Sequence, residues 1–171
     1  NHNSVINASV VAVSAAAAAG SKGALALSGA GSEATNIIAT TSNASVIGKT
    51  TSNSATLKSD NLTIKTSDAS SIDATAVGAA LSNSFGLSGS VAGSIGVSLA
   101  SNWINRNSNA ELANFDSIQP FNMLSAGNIS VASTSTGSIN SKSIAAAISA
   151  AVGNGFAGGL AGGGANSFNT I

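Results

Sequence analysis

Cysteine is absent from this chain of 171 residues, and proline and histidine each occur once. Without cysteine there are no disulfides and no thiol chemistry. Charge is scarce too: Asp, Glu, Lys and Arg make up 7% of the residues, against a usual quarter. Six basic and six acidic side chains cancel. The basic ones are dispersed, so no patch forms for nucleic acid or anionic lipid. Aromatics contribute only 4%. No apolar run spans a bilayer: residues 10–20 are apolar apart from Ser14, but the run is short and mostly alanine. It also lacks the basic flank of a signal peptide. Even so, 43% of the residues are apolar and the net charge is +0. Such a chain collapses rather than staying disordered.

What fills the chain instead is Ala, Ser, Gly and Asn in a long internal repeat. Asn36-Ile37-Ile38 returns as Asn102-Trp103-Ile104 and as Asn169-Thr170-Ile171, at offsets of 66 and 67. Ile6-Asn7-Ala8 maps onto Ile72-Asp73-Ala74 and Ile139-Asn140-Ser141 in the same way. The offset grows from 66 to 67 between Leu112 and Leu124, an interval that holds Pro120. Proline cannot donate to a strand ladder and insertions fall in loops, so a loop is expected near residues 113–123. The chain starts at Asn1 rather than Met, and it starts and stops inside the register. It therefore reads as a piece of a longer, processed protein, a single array over residues 1–171 with about 2.5 repeats.

Residues 85–99 alternate strictly. Odd positions read Phe, Leu, Gly, Val, Gly, Ile, Val, Leu, and even positions are all Gly, Ser or Ala. A period of two is the signature of strand. Alanine propensity favours helix over residues 14–19 and 144–152. Both segments, however, sit in register with Ala80-Leu81 just ahead of the strand pattern, so strand is expected there. The fold class is all-β. Dividing the repeat by three gives about 22 residues per coil, the length of a parallel β-helix coil. Three such coils would rise about 14 Å per repeat. Small residues facing inward would let opposite sheets approach closely. Facing outward they would leave flat Gly/Ser/Ala faces able to pack on another copy. The recurring Asn36, Asn102 and Asn169, and the series Asn7, Asp73 and Asn140, read as a structural ladder of stacked amides and turn residues.

Catalysis needs clustered acids, bases or nucleophiles. His2 has Asp68 and Ser135 as repeat partners, a set expected at a solvated position. Asp60, Asp68 and Asp73 are the densest acidic group. Their partners Gly127, Ser135 and Asn140 are uncharged, which excludes a repeated site and leaves a lone calcium site as the weaker reading. The glycines at 158–159 and 162–164 lack the Lys-Ser/Thr of a phosphate loop. No catalytic residue, cofactor or metal ligand is assigned. The copies differ most where Phe115, Ile118, Phe121 and Met123 replace a polar stretch, and where Trp103 and Arg106 replace Ile37 and Thr40. Aromatics and Arg anchor binding surfaces. These six residues are the candidate contact patch for another chain. The competing reading folds them back over one edge of the stack.

The run Asn128-Ile129-Ser130-Val131-Ala132-Ser133-Thr134, then Ala145-Ala146-Ala147, then a Gly-rich stretch ending in Asn169-Thr170-Ile171, resembles the repeats of very large bacterial filamentous adhesins of the leukotoxin type. More loosely it is similar to filamentous haemagglutinin and autotransporter passengers. The resemblance implies a right-handed parallel β-helix, secretion to the bacterial cell surface, and a structural stalk without a catalytic motif. The partners expected are neighbouring repeats, other copies of the chain and a host or cell-surface ligand, with no nucleic acid and no membrane span. A self-assembling filament or sheath subunit is the second reading. An ice- or carbohydrate-binding solenoid is weaker, because Thr40-Thr41, Thr50-Thr51 and Thr134 with Thr136 do not recur in register.

Overall fold

The computed structural model describes residues 1–48, 56–114 and 123–171. Six strands fill them: β1 (His2–Gly20), β2 (Ala24–Ile47), β3 (Thr56–Gly86), β4 (Gly89–Ala113), β5 (Met123–Gly153) and β6 (Phe156–Thr170). The alanine-rich residues 14–19 and 144–152 lie inside β1 and β5, so strand pattern outweighs helix propensity there. Among the described residues no helix is long and apolar enough to cross a membrane.

The strands form two sheets, ordered β1-β3-β5 and β2-β4-β6. β4 and β6 pair in parallel, from Gly89 against Phe156 to Trp103 against Thr170. Side-chain hydrogen bonds tie β2 to β4 at a separation of 66, from Ser32 to Ser98 and from Asn36 to Asn102. At a separation of 67 they tie β3 to β5, from Thr66 to Ser133 and from Asn128 to Asn61. Each copy of the repeat therefore gives one strand to each sheet.

This corrects the expectation of three coils of about 22 residues per repeat. With three coils, equivalent residues would stand about 14 Å apart, beyond any hydrogen bond. The alternation over residues 85–99 misleads because it runs straight through a reversal. β3 ends at Gly86 and β4 starts at Gly89, with Leu87 N–H donating to the Gly20 carbonyl at 3.3 Å. A two-residue connection preserves parity, so the pattern carries no mark of the turn.

The chain packs as two compact units, each drawing on all three copies. One comprises Asn1–Val5, Ile38–Ser71 and Ile104–Ser138; the other comprises Ile6–Ile37, Ile72–Trp103 and Ile139–Ile171. In the second unit the Gly, Ser and Ala positions face inward. Ala74, Ala76, Ala92 and Ala100 are fully buried, while Leu27 and Ile95 are 66% and 62% exposed on the outer side. The outward faces are thus not flat Gly/Ser/Ala surfaces, which corrects that part of the sequence reading. The reason is the narrow gap between the sheets. The Ser98 hydroxyl on β4 donates to the backbone carbonyl of Ala76 on β3 at 2.7 Å. A methyl group on Gly78 would collide with the Val97 carbonyl, and one on Gly96 with the carbonyls of Ala146 and Gly78. Leu or Ile does not fit such a gap.

The first unit has bulkier inward residues, with Ile38, Ile64 and Ile104 buried beside Thr66, Asp68 and Ser70. Its hydroxyls interlock: Thr66 lies 2.9 Å from Ser108, and Ser133 donates to the Ser108 carbonyl at 2.8 Å. β4 ends at Ala113, and Asn114 follows with φ 59°, a left-handed conformation that asparagine tolerates. The rest of the expected loop, residues 115–122, lies outside the described residues.

Candidate functional site

The amide ladder occupies the interior of the second unit. Asn36 Nδ2 donates to Asn102 Oδ1 at 2.8 Å, and Asn102 Nδ2 donates to Asn169 Oδ1 at 2.9 Å. Its second N–H reaches Ser141 Oγ at 3.0 Å. Asn102 is fully buried. A buried amide with its donors paired contributes to stability, whereas an unpaired one costs about 1–3 kcal/mol. This row fixes register: a slip by one residue would turn every amide outward. The series Asn7, Asp73 and Asn140 differs, because all three lie exposed on outward positions.

Among the described residues the one fully buried carboxylate lies in the first unit. Asp68 Oδ2 accepts from the Thr40 hydroxyl on β2, and Oδ1 accepts from Ser70 at 2.8 Å. The Thr40 hydrogen bond holds the Asp68 carboxyl below its ordinary value of 3.8, against the opposing pull of burial. Ser70, and then the charges of His2 and Arg106, add to the lowering. Gly137 makes room for Arg106: a methyl there would lie 2.8 Å from the guanidinium carbon. A small depression of about 260 Å³ beside it is lined by Asn3, Ser70, Ser71, Thr136 and Ser138.

Sequence reasoning placed the His2, Asp68, Ser135 row in solvent. His2 and Ser135 are exposed, but Asp68 is buried, because it belongs to the middle copy and has a strand on each side. The signal was available, since Asp68 shares its parity with the apolar Ile64 and Ile72. The carboxylates of a lone calcium site do not converge. Asp68 points inward, whereas Asp60 and Asp73 are exposed. Among the described residues no three His, Asp or Glu side chains gather as a metal site.

The candidate contact patch divides. Trp103 faces outward and is 38% exposed, whereas Arg106 turns inward toward the first unit's interior. Three residues apart on a strand, they point to opposite faces. Phe115, Ile118 and Phe121 lie outside the described residues, and Met123 begins β5. What the sequence reading missed is the outer face of β2-β4-β6 in the second unit. Leu27, Gly93 and Leu160 form one row across it, and Gly29, Ile95 and Gly162 the next. They line a depression of about 550 Å³. Leu160 and Phe156 are 78% and 73% exposed. This face is apolar and carries few charges.

These features define a class: an all-β repeat protein whose copies stack in register as parallel strands. Set against protein families, curated proteins and solved structures, the chain matches none of them.

Proposed function

We propose that this chain is a structural, non-catalytic segment of an extracellular bacterial surface adhesin. It serves as a length of stalk or fibre built as a right-handed parallel β-solenoid. The observation that carries the reading is the constant 66/67 register, with buried Asn102 bonded to both neighbouring copies. In such an array each copy buries the one before it, so length is added without a new core. Right-handed winding follows the rule that parallel strands joined through a crossover are right-handed in about 98% of cases. The cell-surface placement rests on the adhesin-like residue pattern. Antibody raised against the chain should label intact producing cells before they are permeabilised. Labelling seen only after permeabilisation would sink the surface assignment.

A self-assembling filament or sheath subunit is the second reading, and the exposed apolar side chains of the β2-β4-β6 face favour it. Apolar patches of this kind mark interaction surfaces. Side-by-side bundles in electron micrographs of the purified chain would favour the sheath, and separate thin particles the stalk.

A further inference from the structure

On the outer face of β2-β4-β6 in the second unit, large and small side chains alternate both along and across the strands. In one row Leu27 and Leu160 flank Gly93; in the next Gly29 and Gly162 flank Ile95. Leu27, Ile95 and Leu160 are all exposed. The Leu27 side chain leans toward Gly93, where a methyl would lie 2.9 Å from its Cδ2. Beside Ile95 the surface is open. A methyl on Gly162 meets nothing within 4 Å, and one on Gly29 meets only the Ile95 carbonyl at 3.9 Å. These two rows form a checkerboard of knobs and holes. A half-turn about the line between them exchanges every knob for a hole. That line runs across the strands, along the direction in which the copies stack.

We propose that this face binds the same face of a second copy of this chain, side by side and strand for strand. Ile95 enters the notch over Gly93 of the second copy, between its Leu27 and Leu160. Leu27 and Leu160 in turn cover Gly29 and Gly162 of the second copy. Charge agrees with shape. Glu33 is an exposed outward residue of β2, and Lys22 is exposed in the turn before it. The half-turn sets Glu33 against Gly23 of the second copy, next to its Lys22, and does so twice. The area is sufficient. The paired stretch from Gly89 to Trp103 across three strands measures about 50 Å by 14 Å. Two such faces bury roughly 1,400 Å², within the ~1,200–2,000 Å² of stable interfaces. Sliding the copies by one strand would set Leu27 against Ile95 and leave Gly93 facing Gly162, so one register is preferred. The contact is isologous and closes as a pair. The pairing rests on the array reading above. Its axis follows the stacking direction, so a longer array lengthens the contact without changing its register.

Sedimentation velocity of the 171-residue chain over a range of concentrations should show a monomer–dimer equilibrium. Gly162→Leu fills a hole that the pair needs and that the single molecule leaves empty. It should weaken association about ten-fold, although it adds apolar surface. Leu160→Gly with Gly162→Leu moves the knob by one row and keeps the two faces complementary, so it should recover the unsubstituted affinity. Glu33→Lys should weaken association about three-fold, and Glu33→Lys with Lys22→Glu should recover it. Hydrogen exchange on the same samples reports whether the strands are intact. A monomer at all concentrations with protected strands would overturn the pairing, leave the array reading standing and give the face to a partner of another kind. Association that Gly162→Leu strengthens, or that the exchanged knob fails to restore, would overturn it as well. An unsubstituted chain with unprotected strands would overturn both.

Discussion

The two compact units are drawn from the same three copies, yet their interiors differ in chemistry. In the unit of Ile6–Ile37, Ile72–Trp103 and Ile139–Ile171, the charged side chains Lys22, Glu33, Asp73 and Lys142 are all exposed. Its interior is Ala, Ser, Gly and an amide ladder, held by close backbone approach. In the other unit Asp68 is fully buried, Arg106 is half-buried, and threonine and serine hydroxyls surround the carboxylate. One repeat thus supports two kinds of interior. The interior of the second unit depends on the absence of side-chain volume and holds no charged side chain. That of the first unit includes a charge-assisted hydrogen bond to Asp68 and should respond to acid.

The largest effect should come from filling the narrow gap. Gly96→Ala sets a methyl against two backbone carbonyls that cannot swing away. Overpacking of this kind costs about 3 kcal/mol or more. Hydrogen exchange should show residues 90–102 losing protection while residues 64–70 keep theirs. An unchanged melting temperature would mean the sheets are not so close. Next is Asn102→Ala, which removes the ladder's middle rung and leaves Asn36 and Asn169 without it. A loss of about 2–3 kcal/mol is expected from the denaturant midpoint.

Acid separates the two units more finely. The folded Asp68 pKa lies below its ordinary value of 3.8. Its ionised form is therefore favoured in the folded chain, and that stabilisation is fully present above the ordinary value. It is lost as the pH falls through the lower folded value. Asp68→Asn should flatten this acid dependence of the urea midpoint in the first unit and leave exchange in the second untouched. A steep response that survives in the variant would place the acid sensitivity elsewhere. The smallest effect is a gain. The Ser84 hydroxyl is buried without a hydrogen-bond partner, and its row neighbours are Ala18 and Ala151. Ser84→Ala should raise stability by about 1 kcal/mol. A loss would mean that the hydroxyl is satisfied in solution.

Much of this was legible in the chain. The repeat register, the all-β class and the Asn36, Asn102, Asn169 ladder follow from spacing alone, because parallel stacking places equal side chains one above another. The number of strands per repeat was not legible. A two-residue reversal at Leu87 and Ser88 leaves the alternation intact, so strand length cannot be read from it. Which face points inward was hidden for a related reason. Large apolar residues at odd positions invite burial, and only the width of the gap between sheets decides that Leu27 and Ile95 stay outside. That Asp68 points inward was legible from its parity with Ile64 and Ile72; its full burial, against the exposed His2 and Ser135, follows from the strands on both sides of β3.

The central claim is that each repeat contributes one strand to each sheet. The chain has no cysteine, so a cysteine pair can be introduced without competition. Ser101 and Phe168 are paired across β4 and β6. Neighbouring strands stand about 4.8 Å apart, within the roughly 4.4–6.8 Å that a disulfide spans between Cα atoms. Ser101→Cys with Phe168→Cys should therefore close an intramolecular disulfide under mild oxidation, read by mass spectrometry. Failure of that pair to close, with closure instead in a second variant whose two introduced cysteines stand about 22 residues apart, would restore three coils per repeat and contradict the account.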